Sequence, residues 1–114
     1  MSVTLDPPYS ANGDRIAQLR FDCIAAKIER EPGLLAIPLA NIARWLAQAH
    51  PARERLQGWQ QLITEARHSE TGMSRLCGLL CSDDADANQW KAFSPFAGVL
   101  TRDELIHLRW TSRH

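Results

Sequence analysis

Lysine is almost missing from this chain: of its 13 basic residues, only Lys27 and Lys91 are lysines. Net charge is missing altogether, because 13 acidic residues balance the 13 basic ones. A protein dedicated to nucleic acid is normally clearly basic, so the balance weighs against that class. It also leaves little electrostatic repulsion between copies, and self-association becomes an expectation. The arginine excess suits bidentate pairing with carboxylates at an interface, and follows more simply from a GC-rich genome.

No apolar run reaches the roughly 20 residues needed to span a bilayer. A signal-peptide pattern is absent too. Met1 to Gly13 carries Asp6, Pro7 and Pro8 where a basic and then an apolar region would stand. The three cysteines, Cys23, Cys77 and Cys81, are an odd number, which does not make a closed disulfide framework. They fall in helical apolar patterns and read as small buried hydrophobes in a reducing, cytoplasmic setting. Alternating strands, internal repeats, phosphate-cradling glycine loops, nucleophile elbows and paired catalytic carboxylates are not recognisable anywhere.

What is present is helical periodicity. The 114 residues, 45% of them hydrophobic, fit one domain, and four Trp and three Phe give it large apolar pieces to bury. Residues 1–13, with Pro7, Pro8, Ser10, Asn12 and Gly13, read as a flexible leader. A helical domain is expected over 14–114. Its first helix, capped by Asn12 or Asp14, should run from Asp14 to Glu31 and end at Pro32-Gly33. Its stripe of Ala17, Phe21, Ile24 and Ile28 is flanked by Ile16, Leu19 and Cys23. That wide apolar arc asks for a central place in a bundle or for a covering partner. Leu34 to Ile37 reads as a connector, and Pro38 suits the first turn of a second helix with Ile42, Trp45, Leu46 and Ala49 inward. His50-Pro51 should stop it. A third helix over 52–67 would bury Leu56, Trp59, Leu62, Ile63 and Ala66, with Gly58 admitting a close backbone. A fourth runs from Thr71 to Cys81. A fifth, capped by Ser82 or Asp83, continues through Phe93. Thr101 to Glu104 spells a capping box for a last helix to Trp110. The fold class is therefore all-α, five or six short helices in an irregular or orthogonal bundle. Its core should hold Phe21, Ile24, Ile28, Ile42, Trp45, Leu46, Trp59, Leu62, Ile63, Leu76, Leu79, Leu80, Trp90 and Phe96.

Candidate chemistry is sparse. Cys77 and Cys81 share a helix face near His68, but both continue a leucine stripe and lack the fourth ligand of a structural zinc site. No metal, cofactor or catalytic residue is expected. His50 and His68 sit at helix ends, where a cation favours the dipole; His107 and His114 are isolated. Asp83, Asp84 and Asp86 lack the glycine and closing glutamate of a calcium loop and read as an acidic first turn. Arg44, Arg53, Arg55 and Arg67 are the candidates for contacting nucleic acid, beside the outward Gln57, Gln60, Gln61 and Thr64. Ser94 to Leu100, SPFAGVL, is an apolar loop, where loops are ordinarily polar. It reads either as a buried lid over the bundle end or as an exposed patch for a partner. In the second reading Phe93, Pro95, Phe96, Val99 and Leu100 carry the contact.

Four segments also carry a resemblance. Ile24-Ala25, Lys27-Ile28, Pro32 and Leu34-Leu35 fit I-A-x-K-I-x-x-x-P-x-L-L. Ala40-Asn41 and Arg44-Trp45 fit A-N-x-x-R-W. Trp59 with Leu62-Ile63 fits W-x-x-L-(I/L), and Ser94 to Leu100 supplies S-P-F-A-G-V-L. Over about residues 24 to 105 the chain resembles a group of short, uncharacterised bacterial proteins found beside genes for toxins or nucleotidyltransferase-like proteins. The resemblance implies an antitoxin-like role and brings no catalytic residues with it. The expectation is thus a non-enzymatic protein–protein interaction module, with a protein partner or self-association. A dimeric DNA-binding regulator is the alternative.

Overall fold

Six α-helices and one 3-10 turn follow one another, with no strand among the described residues. The computed structural model describes the backbone of residues 8–49 and 51–113 and the side chains of residues 15–49 and 51–108. The elements are α1 (Pro8–Arg30), a 3-10 turn (Pro32–Leu35), α2 (Ala36–Ala47), α3 (Arg53–His68), α4 (Glu70–Cys81), α5 (Ala85–Lys91) and α6 (Arg102–Arg113). The chain is an all-α bundle.

α1 is already helical at Pro8, ahead of the expected start at Asp14. Asn12 and Asp14 stand inside α1 and not at its start. Residues 1–7 of the expected leader lie outside the described residues. α2 begins at Ala36, ahead of Pro38, which is buried in its first turn. α2 closes at Ala47, and Ala49 follows with a φ of 55° while its N–H donates to the Leu46 carbonyl at 3.2 Å. This left-handed residue turns the chain out of the helix. His50 lies outside the described residues.

α3 and α4 form a tight hairpin around one residue. Ser69 ends α3 and caps α4, its Oγ accepting the Gly72 N–H at 2.9 Å. The corner is so close that a Cβ on Gly72 would lie 2.3 Å from the Glu65 carbonyl oxygen. Only glycine lets the two backbones meet there. α5 is capped by Asp84, whose Oδ1 accepts the Ala87 N–H at 2.8 Å, and not by Ser82 or Asp83. It ends at Lys91, short of Phe93. The capping box of α6 forms as the sequence spells it. Thr101 Oγ1 accepts the Glu104 N–H at 3.2 Å, and Glu104 Oε1 accepts the Thr101 N–H at 2.7 Å.

The core gathers from every helix. Ile24, Ile28, Ile42, Trp59, Ile63, Leu76, Leu80 and Phe96 are buried, as expected. Phe21, Trp45, Leu46, Leu62, Leu79 and Trp90 are only partly buried and pack against that centre. Leu35, Leu56, Val99, Leu100 and Leu108 belong to the buried set as well. Trp59 is the hub. It lies edge-on to Trp90 (ring centroids 5.3 Å apart) and to Phe96 (5.4 Å), and its indole N–H donates to the Trp90 carbonyl at 3.1 Å. Gly58 admits the Trp90 ring, not a second backbone: a Cβ there would sit 2.7 Å from that ring.

α1 and α4 run antiparallel. Gln18 Nε2 donates to the Leu80 carbonyl at 3.1 Å, and the Cys77 thiol reaches the Ala25 carbonyl at 3.6 Å. Lys91 locks the end of this pair. Its buried ammonium donates to Gln18 Oε1 at 2.6 Å, to the Ser82 carbonyl at 2.6 Å and to the Leu80 carbonyl at 3.4 Å. Three donors on one compact charge match three acceptors, and a cation at the C-terminus of α4 complements its dipole.

Candidate functional site

The SPFAGVL loop is the lid of the two readings. Pro95, Phe96, Val99 and Leu100 are buried by their own chain, so these four do not form an exposed patch. Burying a loop requires partners for its backbone. Asn41, buried on α2, supplies two: its Nδ2 donates to the Pro95 carbonyl at 2.8 Å and to the Ala97 carbonyl at 2.9 Å. Arg44, one turn on, donates to Asn41 Oδ1 at 2.6 Å and fixes which way the amide faces. Lys27 on α1 supplies a third, its Nζ donating to the Val99 carbonyl at 2.9 Å and to Glu104 Oε1 at 2.6 Å. Gly98 turns the loop at a φ of +96°, inside a turn closed by the Val99 N–H on the Phe96 carbonyl at 3.2 Å. The Lys27 ammonium and the Thr101 N–H hold the Glu104 carboxyl at a pKa of about 2, well below its usual 4.5. Lys27, Asn41 and Arg44 thus converge on the loop from α1 and α2, and Trp59 of α3 packs edge-on against its Phe96.

Clamping the loop inward leaves a groove beside it. The groove runs between α1 and α6 with the loop as its floor and has a volume of about 630 Å³. Ile16, Arg20 and Ile24 form the α1 wall, Leu105 and Leu108 the α6 wall, and Phe96 to Gly98 with Leu100 the floor. Arg20 is the only charged side chain among these lining residues. Leu105, 36% exposed, stands at the mouth, and its neighbour Ile106 is 45% exposed. The wide apolar arc of α1 is therefore divided: Ile24 and Ile28 go to the core, while Ile16 and one side of Ile24 face the groove. Sequence reasoning placed no site on α6. The signal was present in Leu105-Ile106, two large apolar residues in a row on a helix that has few other helices to cover them.

Phe93 is the one member of the candidate partner contact that is exposed, at 48%. It lies away from the groove, in a notch of about 590 Å³ at the start of α3 with Pro51, Ala52, Arg53, Glu54 and Arg55. The fold thus joins Phe93 to two of the four candidate nucleic-acid arginines. It does not join the other two. Arg44 is held by Asn41, and Arg67 is at the far end of α3, about 21 Å from Arg53 at 1.5 Å per residue. Arg55 is stacked on the Trp90 ring, 4.8 Å from its centroid, and Glu54 shares the notch.

The cysteines are less buried than their helical pattern implies. Cys23 and Cys81 are exposed and Cys77 is half-buried; all three are free thiols. Cys81 ends α4, where little packs over it. Burial first, then the charge of Glu29 and the neighbouring Cys81, pushes the Cys77 thiol up to about 11. Burial and then Asp22 raise Cys81 as well. Among the described residues, no group of three or more His, Cys, Asp or Glu is placed to hold a metal ion. His68 is exposed at the end of α3, His107 is exposed on α6, and His114 lies outside the described residues. Asp84 is drawn below its usual carboxylate range by the Ala87 N–H and then by Ser82, which identifies it as a helix cap. No described helix is long and apolar enough to cross a membrane.

Comparison with protein-family models, with curated proteins and with solved structures returns no match.

Proposed function

We propose that the protein is a non-enzymatic protein–protein interaction module that docks a segment of its partner in the α1–α6 groove. One observation carries this reading: an apolar groove of about 630 Å³ whose mouth exposes Leu105, on a protein without net charge. Exposed apolar surface around a concave site is the ordinary mark of a binding surface. The SPFAGVL loop takes part as the floor of that site and not as the patch itself. The resemblance to short bacterial proteins beside toxin genes makes the partner a toxin-like protein and the role antitoxin-like. Three free thiols suit a cytoplasmic, reducing setting.

The test is capture of the tagged full chain's partner from its native host, compared with Leu105→Glu. A stoichiometric protein held by the wild type and lost by Leu105→Glu, with unchanged circular dichroism, supports the reading. A partner held equally by both forms overturns the groove as the docking surface. Nucleic acid captured in place of protein, and released steeply by salt, overturns the interaction reading in favour of a DNA-binding regulator.

A further inference from the structure

Resting on the groove as a protein-docking surface, we infer that its occupant is a short amphipathic helix carrying a carboxylate opposite Arg20. The shape comes from the walls. Ile16, Arg20 and Ile24 are spaced four residues apart on α1, so the groove's long side covers about 12 Å, two helical turns and a little more. Leu105 and Leu108, three apart on α6, form the facing wall. Two helical walls over an apolar floor accept a third helix through side chains at i, i+3, i+4 and i+7. An extended strand has no counterpart here, because both walls are helices with their backbone groups already paired.

The charge comes from Arg20. Among the described residues it makes no hydrogen bond or ion pair, although the chain holds as many acids as bases. Its neighbours in the groove are all apolar. An arginine beside apolar walls presents a planar fork of donors that a carboxylate meets with two parallel bonds. A docked helix with an acidic residue flanking its apolar stripe supplies both halves of the match. An apolar helix flanked by lysine would set two cations together, partly shielded from water.

Titration of the isotope-labelled full chain with a blocked amphipathic peptide tests this. The peptide has leucines at i, i+3, i+4 and i+7 and one glutamate beside the stripe; a second peptide carries lysine there. The expected result is amide shifts at Ile16, Arg20, Ile24, Leu105 and Leu108 with the glutamate peptide, and at least about tenfold weaker binding of the lysine peptide. Arg20→Glu should reverse that preference, while Arg20→Lys should keep its sign. Shifts elsewhere, equal affinity for both peptides, or a preference untouched by Arg20→Glu would overturn the inference. So would native mass spectrometry showing the purified chain loaded with a fatty carboxylate, or a dimer that Leu105→Glu dissolves. The two proposals fail separately. A host partner lost with Leu105→Glu but held by Arg20→Glu leaves the interaction module standing and removes the acidic helix.

Discussion

At the scale of single residues, the loop depends on donors that arrive from distant helices. Asn41→Leu removes two N–H groups from the carbonyls of Pro95 and Ala97, 54 and 56 residues away in sequence. Leaving such acceptors unpaired costs about 2–4 kcal/mol in all. Chemical denaturation should show that loss with an unchanged m-value. Asn41→Asp should cost at least as much, because it turns an acceptor toward two acceptors. Glu104 gives a pH signature. Its carboxyl titrates near 2 in the folded chain and near 4.5 when free, so the unfolded state binds the proton first as pH falls. The stabilisation is complete above about 4.5 and is lost as pH drops toward 2. Acid titration of the wild type should therefore loosen α6 in that window, and Glu104→Gln should show less of the dependence. The Cys77 thiol, raised to about 11, should resist alkylation at neutral pH and react as the solution approaches that value. Peptide mass spectrometry after timed labelling reads this directly.

At the scale of elements, two glycines of one helix should answer the same substitution with opposite signs. Gly72→Ala drives a methyl into the Glu65 carbonyl at the α3–α4 corner and should cost about 1–3 kcal/mol. Gly78→Ala meets nothing within 4 Å and should add up to about 1 kcal/mol through helix propensity. Thermal melts of the two variants would move apart by roughly 10 °C. The sequence carried little of this distinction. The corner is Ser69 alone, with His68 and Glu70 to Gly72 already helical, and a close backbone approach leaves no trace in composition. Capping was legible where it is a local pattern, as in Thr101 to Glu104. It was misplaced where several candidates crowd together, as in Ser82, Asp83 and Asp84, since all three can present an oxygen and only the chain's direction selects one. Helix over Pro8 to Gly13 was not legible, because Pro8, Asn12 and Gly13 are all breakers by propensity, and propensity is a weak prior.

At the scale of the whole molecule, helical periodicity was enough for the fold class and for most of the core. Ile24, Ile28, Ile42, Trp59, Ile63, Leu76 and Leu80 are inward on their own helices, and neighbours in sequence reveal that. The groove was not legible. It is made by Ile16, Leu105 and Leu108, which belong to the two ends of the chain, and the distance between them in sequence hides their meeting. The loop was open to two readings for a related reason: its burial depends on Asn41 and Lys27, whose partners only the fold identifies. Trp59 should be the point at which the whole bundle responds together. Trp59→Ala should cost about 3–5 kcal/mol, while Trp59→Phe, which keeps most of the ring contacts, should lose chiefly the bond to the Trp90 carbonyl. Calorimetry of both variants would separate packing from hydrogen bonding at that hub.

The use made of Lys27 and Lys91 reaches beyond stability. Each ammonium is turned inward on backbone carbonyls, one holding the loop and the other the end of α4. The folded chain accordingly has no freely exposed side-chain amine. Reagents and enzymes that acylate lysine meet groups that are already engaged, and amine-directed cross-linkers will underreport its contacts. A partner complex should be mapped through carboxylates or through Cys23 and Cys81, and any acyl group found on Lys27 or Lys91 would mark a molecule that had opened first.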